Sequence, residues 1–335
     1  MQNCAAIART WHREQRRAVV ASVVGIEGLG PRTEGELALI DYDGNIAGSL
    51  LGGALDEPLA ALLRAQRARD DVNRIVGLDI STSDADSAGL SCAGHVDVLL
   101  QHLDAVPDEL WDALAEGRAV ALATTTGTHP ARAAVFFTNR APVASLGEPE
   151  LDTLADATAE ALLSTPGNNR TEVRLGSNHV VIQSWNPVPH VVIVGANKLA
   201  RALTNQFDLL GWTSAVATTA EAAAPMLASM TTGDIVLVLD HSPQIATPVL
   251  ATALRAGHGY VGALGSRRTQ VARRSHLERA GLTAVEMDRL HGPAGLDLGG
   301  RTPAETAISI AAEVVAFRSG RSAQSLHATS GRISA

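Results

Sequence analysis

The chain has 335 residues, more than one domain usually holds, and 46% of them are hydrophobic against 19% charged, so two folded units with cores of their own are expected. A net charge of -8 excludes a general nucleic-acid surface, which needs a basic excess to displace counterions from phosphates. Cys4 and Cys92, the two cysteines, stand far apart without paired spacing, which excludes a disulfide framework and a thiolate metal site and points to a reducing, cytoplasmic compartment.

The first residues read as a helix charged along its length, without the apolar run of an export signal. A β-rich run over 18–24 ends at Gly25, a second strand over 37–42 closes at Asp43 and Gly44, and Gly48 to Gly53 lead into a helix over 54–68. Strands are expected over 96–100, 119–126, 133–137 and 172–184, with a helix over 151–163 among them. The first domain, 1–186, is therefore read as mixed α+β. Prolines within 185–190 mark the boundary.

From 187 to 320 strands at 190–194, 213–218, 235–239 and 259–264 alternate with helices at 198–210, 248–256, 268–279 and 302–318. That alternation predicts an α/β, Rossmann-like, doubly wound parallel sheet. The polar, small-residue stretch 321–335 reads as a disordered tail. No apolar run approaches the roughly 20 residues that cross a bilayer, so no membrane span is expected.

Several turns carry candidate chemistry. In Gly262-Ala-Leu-Gly265-Ser266-Arg267-Arg268 a strand passes through glycines into a helix whose first turn holds two arginines, with Ser266 placed to cap it. This is either an anion cradle or a tight turn with solvated arginines continued by Arg273 and Arg274. Asp297, among the glycines of 292–300, could accept hydrogen bonds from a heterocycle's amino group, or belong to an ordered loop before the capped helix at Thr302. Gly52 and Gly53 could offer a nest of amides to an anion, or merely turn the chain.

His241 follows a parallel strand at the edge where open α/β sheets bind ligands, and Cys92 sits in a small-residue loop; both have plain structural alternatives. At 195–200 only Gly195 of the dinucleotide fingerprint is present. Asn197 stands where a second glycine belongs, and Thr218 and Thr219 replace the ribose-binding carboxylate, so NAD(P) is not expected.

Taken together the motifs resemble the XdhC/CoxI family, over nearly the whole chain to about Gly320. YVGALGSRRT at 260–269 matches the signature Y-V-G-x-L-G-S-R-R-T, and PAGLDLGGRTPAETAISIAAE matches the closing signature P-x-G-L-D-x-G-x-x-T-P-x-E-x-A-x-S-I-x-A-E. GLGPR, GSLLGGALD and CAG resemble the N-terminal signatures G-S-x-P-R, G-S-x-x-G-G-C-x-E and C-G-G. Here Leu29 replaces the serine, Ala54 the cysteine, Asp56 the glutamate and Ala93 a glycine.

The resemblance implies an accessory protein that binds molybdenum cofactor (molybdopterin), presents it for sulfuration and delivers it to a molybdenum hydroxylase such as xanthine dehydrogenase or aerobic carbon monoxide dehydrogenase. It implies a chaperone with no catalytic residue to assign, in a homodimer, with a cysteine desulfurase as a further partner. Carried over, Gly262, Gly265, Ser266, Arg267 and Arg268 would hold the cofactor's phosphate, with Gly52 and Gly53 lining the other side of a cleft between domains. The loss of the cysteine at Ala54 leaves Cys92 as the only thiol in a family motif. Two alternatives stay open: an NAD(P)-dependent oxidoreductase built on the second domain, and an interaction module for a dehydrogenase with a vestigial pocket.

Overall fold

In this computed structural model, residues 2–29, 35–65, 73–90, 92–127, 130–165 and 167–329 are described. Gly30, Pro31 and Arg32 of GLGPR, the end of the helix expected over 54–68, and the last residues of the tail lie outside them. The chain divides into two compact units, one ending at Pro187 and the other beginning at Val188.

Helix α1 (Gln2–Arg13) precedes strands β1 (Ala18–Gly28), β2 (Leu37–Asp41) and β3 (Ile46–Gly48); then come α2 (Asp56–Ala65), β4 (Arg74–Ile80), α3 (Thr82–Ser87), β5 (Gly94–His102) and α4 (Asp108–Glu116). The first unit closes with β6 (Val120–Thr126), β7 (Ala133–Phe137), β8 (Arg140–Val143), α5 (Pro149–Ser164), β9 (Asn169–Leu175) and β10 (Asn178–Trp185). Its strands form two antiparallel sheets, ordered β3-β2-β1-β5-β4 and β8-β7-β6-β10-β9.

Alternation along the strands sets the layers. Val19 and Ala21 of β1 pack with Leu59 and Leu63 of α2, whereas Ala18 and Val20 join α1, α4 and the second sheet in a shared core around Trp11 and Trp111. Helix α5 covers the outer face of the second sheet through Leu151, Ala155 and Ala159.

The second unit holds β11 (His190–Val194), α6 (Lys198–Leu209), β12 (Thr213–Ala217), α7 (Ala220–Ala228), β13 (Ile235–Val238), α8 (Pro243–Ala256) and β14 (Tyr260–Ala263). It ends with α9 (Arg267–Arg279), α10 (Ala284–Met287), β15 (Leu290–His291) and α11 (Pro303–Arg318). All its strand pairs are parallel, in the order β12-β11-β13-β14-β15. Val192, Val236 and Val261 face α7 and α8, while Val191, Ile235 and Tyr260 face α6 and α11, so the sheet is covered on both sides as a doubly wound fold requires.

Several sequence expectations change. Gly25 does not end β1: it sits at a bulge against β5, where a Cβ would lie 2.3 Å from Asp97 Oδ2. The single strand expected over 172–184 is a hairpin, β9 and β10, turning at Gly176. Helix α8 begins at Pro243 rather than Pro248, which lies inside it. Apart from these changes, Leu326–Ala328 form a 3-10 turn with no buried residue. Among the described residues no helix is long and apolar enough to cross a membrane.

Trp111 is fully buried in the layer that both sheets of the first unit share. Replacing it with alanine should cost about 3–5 kcal/mol in urea unfolding, because the sheets cannot close over the void. Among the described residues its indole N–H has no partner, so Trp111→Phe should cost much less.

Candidate functional site

At the carboxyl edge of the parallel sheet β14 passes into Leu264, Gly265 and Ser266, and α9 starts. Leu264 N donates to Val238 O at 2.9 Å, which fixes the turn against the neighbouring strand. Gly265 has φ +134°, and a Cβ there would lie 2.9 Å from Thr269 Cγ2. Ser266 caps the helix by accepting from Thr269 N at 3.2 Å.

Arg267 and Arg268 open α9 and are exposed. Among the described residues their side chains make no hydrogen bond or ion pair, and the amides of Gly265 to Arg268 have no acceptor. No acidic residue stands in the first turn of α9. Two cations at the positive end of a helix oppose the usual preference for carboxylates there, an arrangement that an anion would relieve. Gly262 plays a different part: it is buried within β14, and Tyr260, Leu237 and Ala294 fill the space its missing side chain leaves. Arg273, expected on an exposed face with Arg274, is 5% exposed and lies behind this turn; only Arg274 is at the surface, paired with Asp288.

The loop before α11 lies beside this turn, with Ala294 N donating to Ala263 O at 3.0 Å. It is anchored by three residues one helical turn apart on α11. Glu305 Oε2 accepts from Arg301 N at 2.7 Å and Thr302 N at 2.8 Å in a capping box. Ser309 Oγ donates to Leu296 O at 2.5 Å. Glu313 accepts from Tyr260 Oη at 2.7 Å, from His291 Nδ1 at 3.0 Å and from Gly295 N.

The His291 ring stacks on Tyr260 with centroids 4.3 Å apart. Burial works to raise the Glu313 carboxyl, but the hydrogen bonds from His291, Tyr260 and Gly295 outweigh it and hold it below its usual 4.5. Asp297 projects from the anchored loop, exposed and without a hydrogen-bond partner among the described residues.

One strand away, His241 is exposed after β13, beside Asp240, whose Oδ1 accepts from Ser242 N at 2.7 Å. In the place of the dinucleotide fingerprint, Asn197 caps α6 through Ala200 N at 2.9 Å and Thr219 caps α7 through Ala222 N at 3.2 Å. Both side chains are engaged by their own helices.

In the first unit, Gly52 has φ +65° and a Cβ there would lie 2.5 Å from Ala88 O, while at Gly53 a Cβ would make ordinary contacts with Asp56 Oδ2 at 3.6 Å and Ser49 Oγ at 3.7 Å. The amides just before them are taken by the chain's own carboxylates: Leu50 N donates to Asp56 at 3.3 Å and Leu51 N to Glu36 at 2.6 Å. Cys92 is exposed and free. Among the described residues no cluster of His, Cys, Asp and Glu could hold a metal ion.

The structure therefore brings Gly262, Gly265, Ser266, Arg267, Arg268 and the loop of Asp297 to one end of the second unit, with His241 on the same edge. Gly52, Gly53 and Cys92 belong to the first unit. As anchors, Tyr260, His291, Ser309 and Glu313 escaped the reading of the sequence. The four-residue spacing of Glu305, Ser309 and Glu313 was the signal available for part of them.

Two family models match the chain: the XdhC Rossmann domain over residues 191–314, and the XdhC and CoxI family over 11–76. The chain belongs to the XdhC/CoxI family. It is 29% identical over 163 residues to the molybdenum cofactor insertion chaperone PaoD of Escherichia coli (strain K12), a match covering 49% of this chain and 50% of PaoD. It is 31% identical over 158 residues to the uncharacterized protein YqeB of the same strain, covering 42% of this chain and 29% of YqeB. The chain thus spans about half of one of these relatives and less of the other.

A solved structure described as a xanthine dehydrogenase from Bacillus halodurans superposes with a TM-score of 0.58 at 22% identity, over 97% of this chain and 98% of that one, which shows a shared fold. In this family setting the closing signature acquires a physical meaning, since its Glu305, Ser309 and Glu313 are the loop anchors.

Because the folded-state carboxyl of Glu313 lies below 4.5, its contribution is complete above that pH and is lost as pH falls through the lowered value. Glu313→Gln should cost about 1–3 kcal/mol at pH 7. It should also flatten the acid limb of stability below pH 4.5, which urea melts of both proteins at pH 7 and pH 4 would check.

Proposed function

We propose that this chain binds molybdenum cofactor at the turn between β14 and α9 and hands it to a molybdenum hydroxylase of the xanthine dehydrogenase or aerobic carbon monoxide dehydrogenase type. The observation that carries the reading is the opening of α9, where among the described residues four amides and two guanidinium groups lie without acceptors inside the family signature at 260–269. An arginine fork and a helix N-terminus both suit a phosphate. Gly265 and Ser266 shape the turn, and Arg267 and Arg268 supply the charge. Gly262 packs the strand beneath, and Asp297 is placed to accept from a pterin amino group.

When bound, the cofactor supplies a molybdenum centre for hydroxylation in the client; this chain's own residues bind and orient it. The similarity to a chaperone for molybdenum cofactor insertion supports the carrier role, and the helix-capping use of Asn197 and Thr219 speaks against NAD(P).

The reading extends to the first unit, where Gly52 and Gly53 would offer backbone and the exposed Cys92 a thiol, with His241 a further contact in the second. Sulfuration with a cysteine desulfurase would have to proceed without a cysteine at Ala54. A cytoplasmic homodimer completes the proposal, on the strength of the family resemblance.

The test is to incubate the purified chain with molybdenum cofactor, remove free ligand by gel filtration and quantify bound pterin by fluorescence after oxidation, with NAD(P)H in parallel. The chain should retain pterin stoichiometrically and no nicotinamide. Each charge-assisted bond to phosphate contributes about 1.5–3 kcal/mol, so Arg267→Ala with Arg268→Ala should lower affinity at least ~10-fold at an unchanged melting temperature. A folded chain that retains no pterin would overturn the reading.

A further inference from the structure

Arg273 lies on α9 about one and a half turns beyond the pair that opens the helix. It is only 5% exposed, yet among the described residues no carboxylate pairs with it, and its hydrogen-bond partner is the neutral oxygen Gln270 Oε1 at 2.6 Å. Burying a guanidinium without a counter-charge is expensive, and an apolar side chain would fill the same space at less cost. Something other than packing is needed to account for it.

Gln270 has two ends with opposite capacities. A guanidinium only donates, so the end of the amide that meets Arg273 must be the oxygen. The amide nitrogen is thereby turned toward the site turn, where it donates to Ala263 O at 3.2 Å and Gly265 O at 3.3 Å. Ala263 O also accepts from Ala294 N, which brings in the second loop. On that loop a Cβ at Gly292 would fall 2.6 Å from Gln270 Oε1, so the glycine makes room for the amide. One side chain thus touches both loops of the candidate site, and a buried cation sets which way it faces.

We propose that Gln270, oriented by Arg273, is the positioning residue of the anion site: it fixes the spacing of the 263–266 turn from the 292–295 loop while leaving the buried charge of Arg273 unneutralised beneath them. The pair determines how strongly the site holds a phosphate-bearing ligand, without touching that ligand. This rests on the carrier reading for the ligand's identity, but not for the arrangement of the pair.

The two substitutions that separate this from plain structural support are Gln270→Glu and Arg273→Met. Glutamate keeps the shape, pairs with Arg273 and should leave the melting temperature unchanged or higher. It also cancels the buried charge and turns a second acceptor toward the carbonyls of Ala263 and Gly265. Affinity for molybdenum cofactor, measured by pterin fluorescence on the full chain, should therefore fall at least ~10-fold while stability holds, a fall equivalent to about 1.4 kcal/mol. Arg273→Met should lose a similar factor, and the double variant should be no worse than either alone, because both act through one arrangement. Arg273→Lys, which keeps the charge and can donate to Gln270, should recover part of the loss.

Hydrogen exchange on the ligand-free chain supplies an arm independent of the cofactor. Peptides covering 263–268 and 290–296 should exchange faster in Arg273→Met than in the wild type, with the first unit unchanged. If the wild type retains no cofactor, the carrier reading fails, and the exchange arm decides the positioning role alone. Unchanged exchange at both loops overturns the proposal. So does cofactor affinity in Gln270→Glu and Arg273→Met that matches the wild type.

Discussion

The carboxylate of Glu313 ties together three parts of the second unit, adding to the backbone pairing of β14 with β15: the start of β14 at Tyr260, the short edge strand at His291, and the loop at Gly295. A partly buried carboxylate is stable as an anion only when donors surround it, and here the donors come from three separate stretches of chain. The geometry of each is therefore conditional on the others. The turn before α9 can present its free amides because β14 is held in place, and the loop bearing Asp297 is rigid because its amide and its neighbouring ring are fastened to one helix.

The parallel sheet decides where such fastening is needed. Every strand of the second unit points the same way, so the connections that leave their carboxyl ends gather on one edge, and their polar backbone must be satisfied there. At α6 and α7 the chain does so with Asn197 and Thr219, which use their side chains on their own helices. At α9 Ser266 does the same for Thr269 N, and what sets this start apart is the pair of guanidinium groups, Arg267 and Arg268, in a first turn without an acidic residue. In the first unit, by contrast, the glycine turn at 48–53 has the amides of Leu50 and Leu51 engaged by carboxylates, Asp56 and Glu36.

Much of the second unit could be read from the chain because its elements are local. A short apolar strand, a glycine turn, a capping serine and a basic helix start are contiguous in 260–269, and the structure shows strand, turn and helix in that order. The first unit was harder, since antiparallel strands tolerate bulges and tight hairpins that resemble ordinary turns. Gly25 has the composition of a strand end but is a bulge opposite Asp97, a partner 72 positions away that no local pattern announces. Helix α4 passed unnoticed although Leu110, Trp111 and Leu114 recur at helical spacing. At the site, the charged residues of the signature were legible and their supports were not. Arg273 reads as one more surface arginine beside Arg274, and only the packed fold distinguishes them.

The anchors on α11 carry a constraint of a different kind. Glu305, Ser309 and Glu313 grip the loop at three points because they recur every four residues and so share one face of the helix. A substitution at one of them removes one grip. An inserted or deleted residue between 305 and 309 would instead rotate everything beyond it by about 100° around the helix axis, carrying Ser309 and Glu313 off the loop together. Along this stretch the chain can vary in identity at the outward positions, but its length is locked to the pitch of the helix.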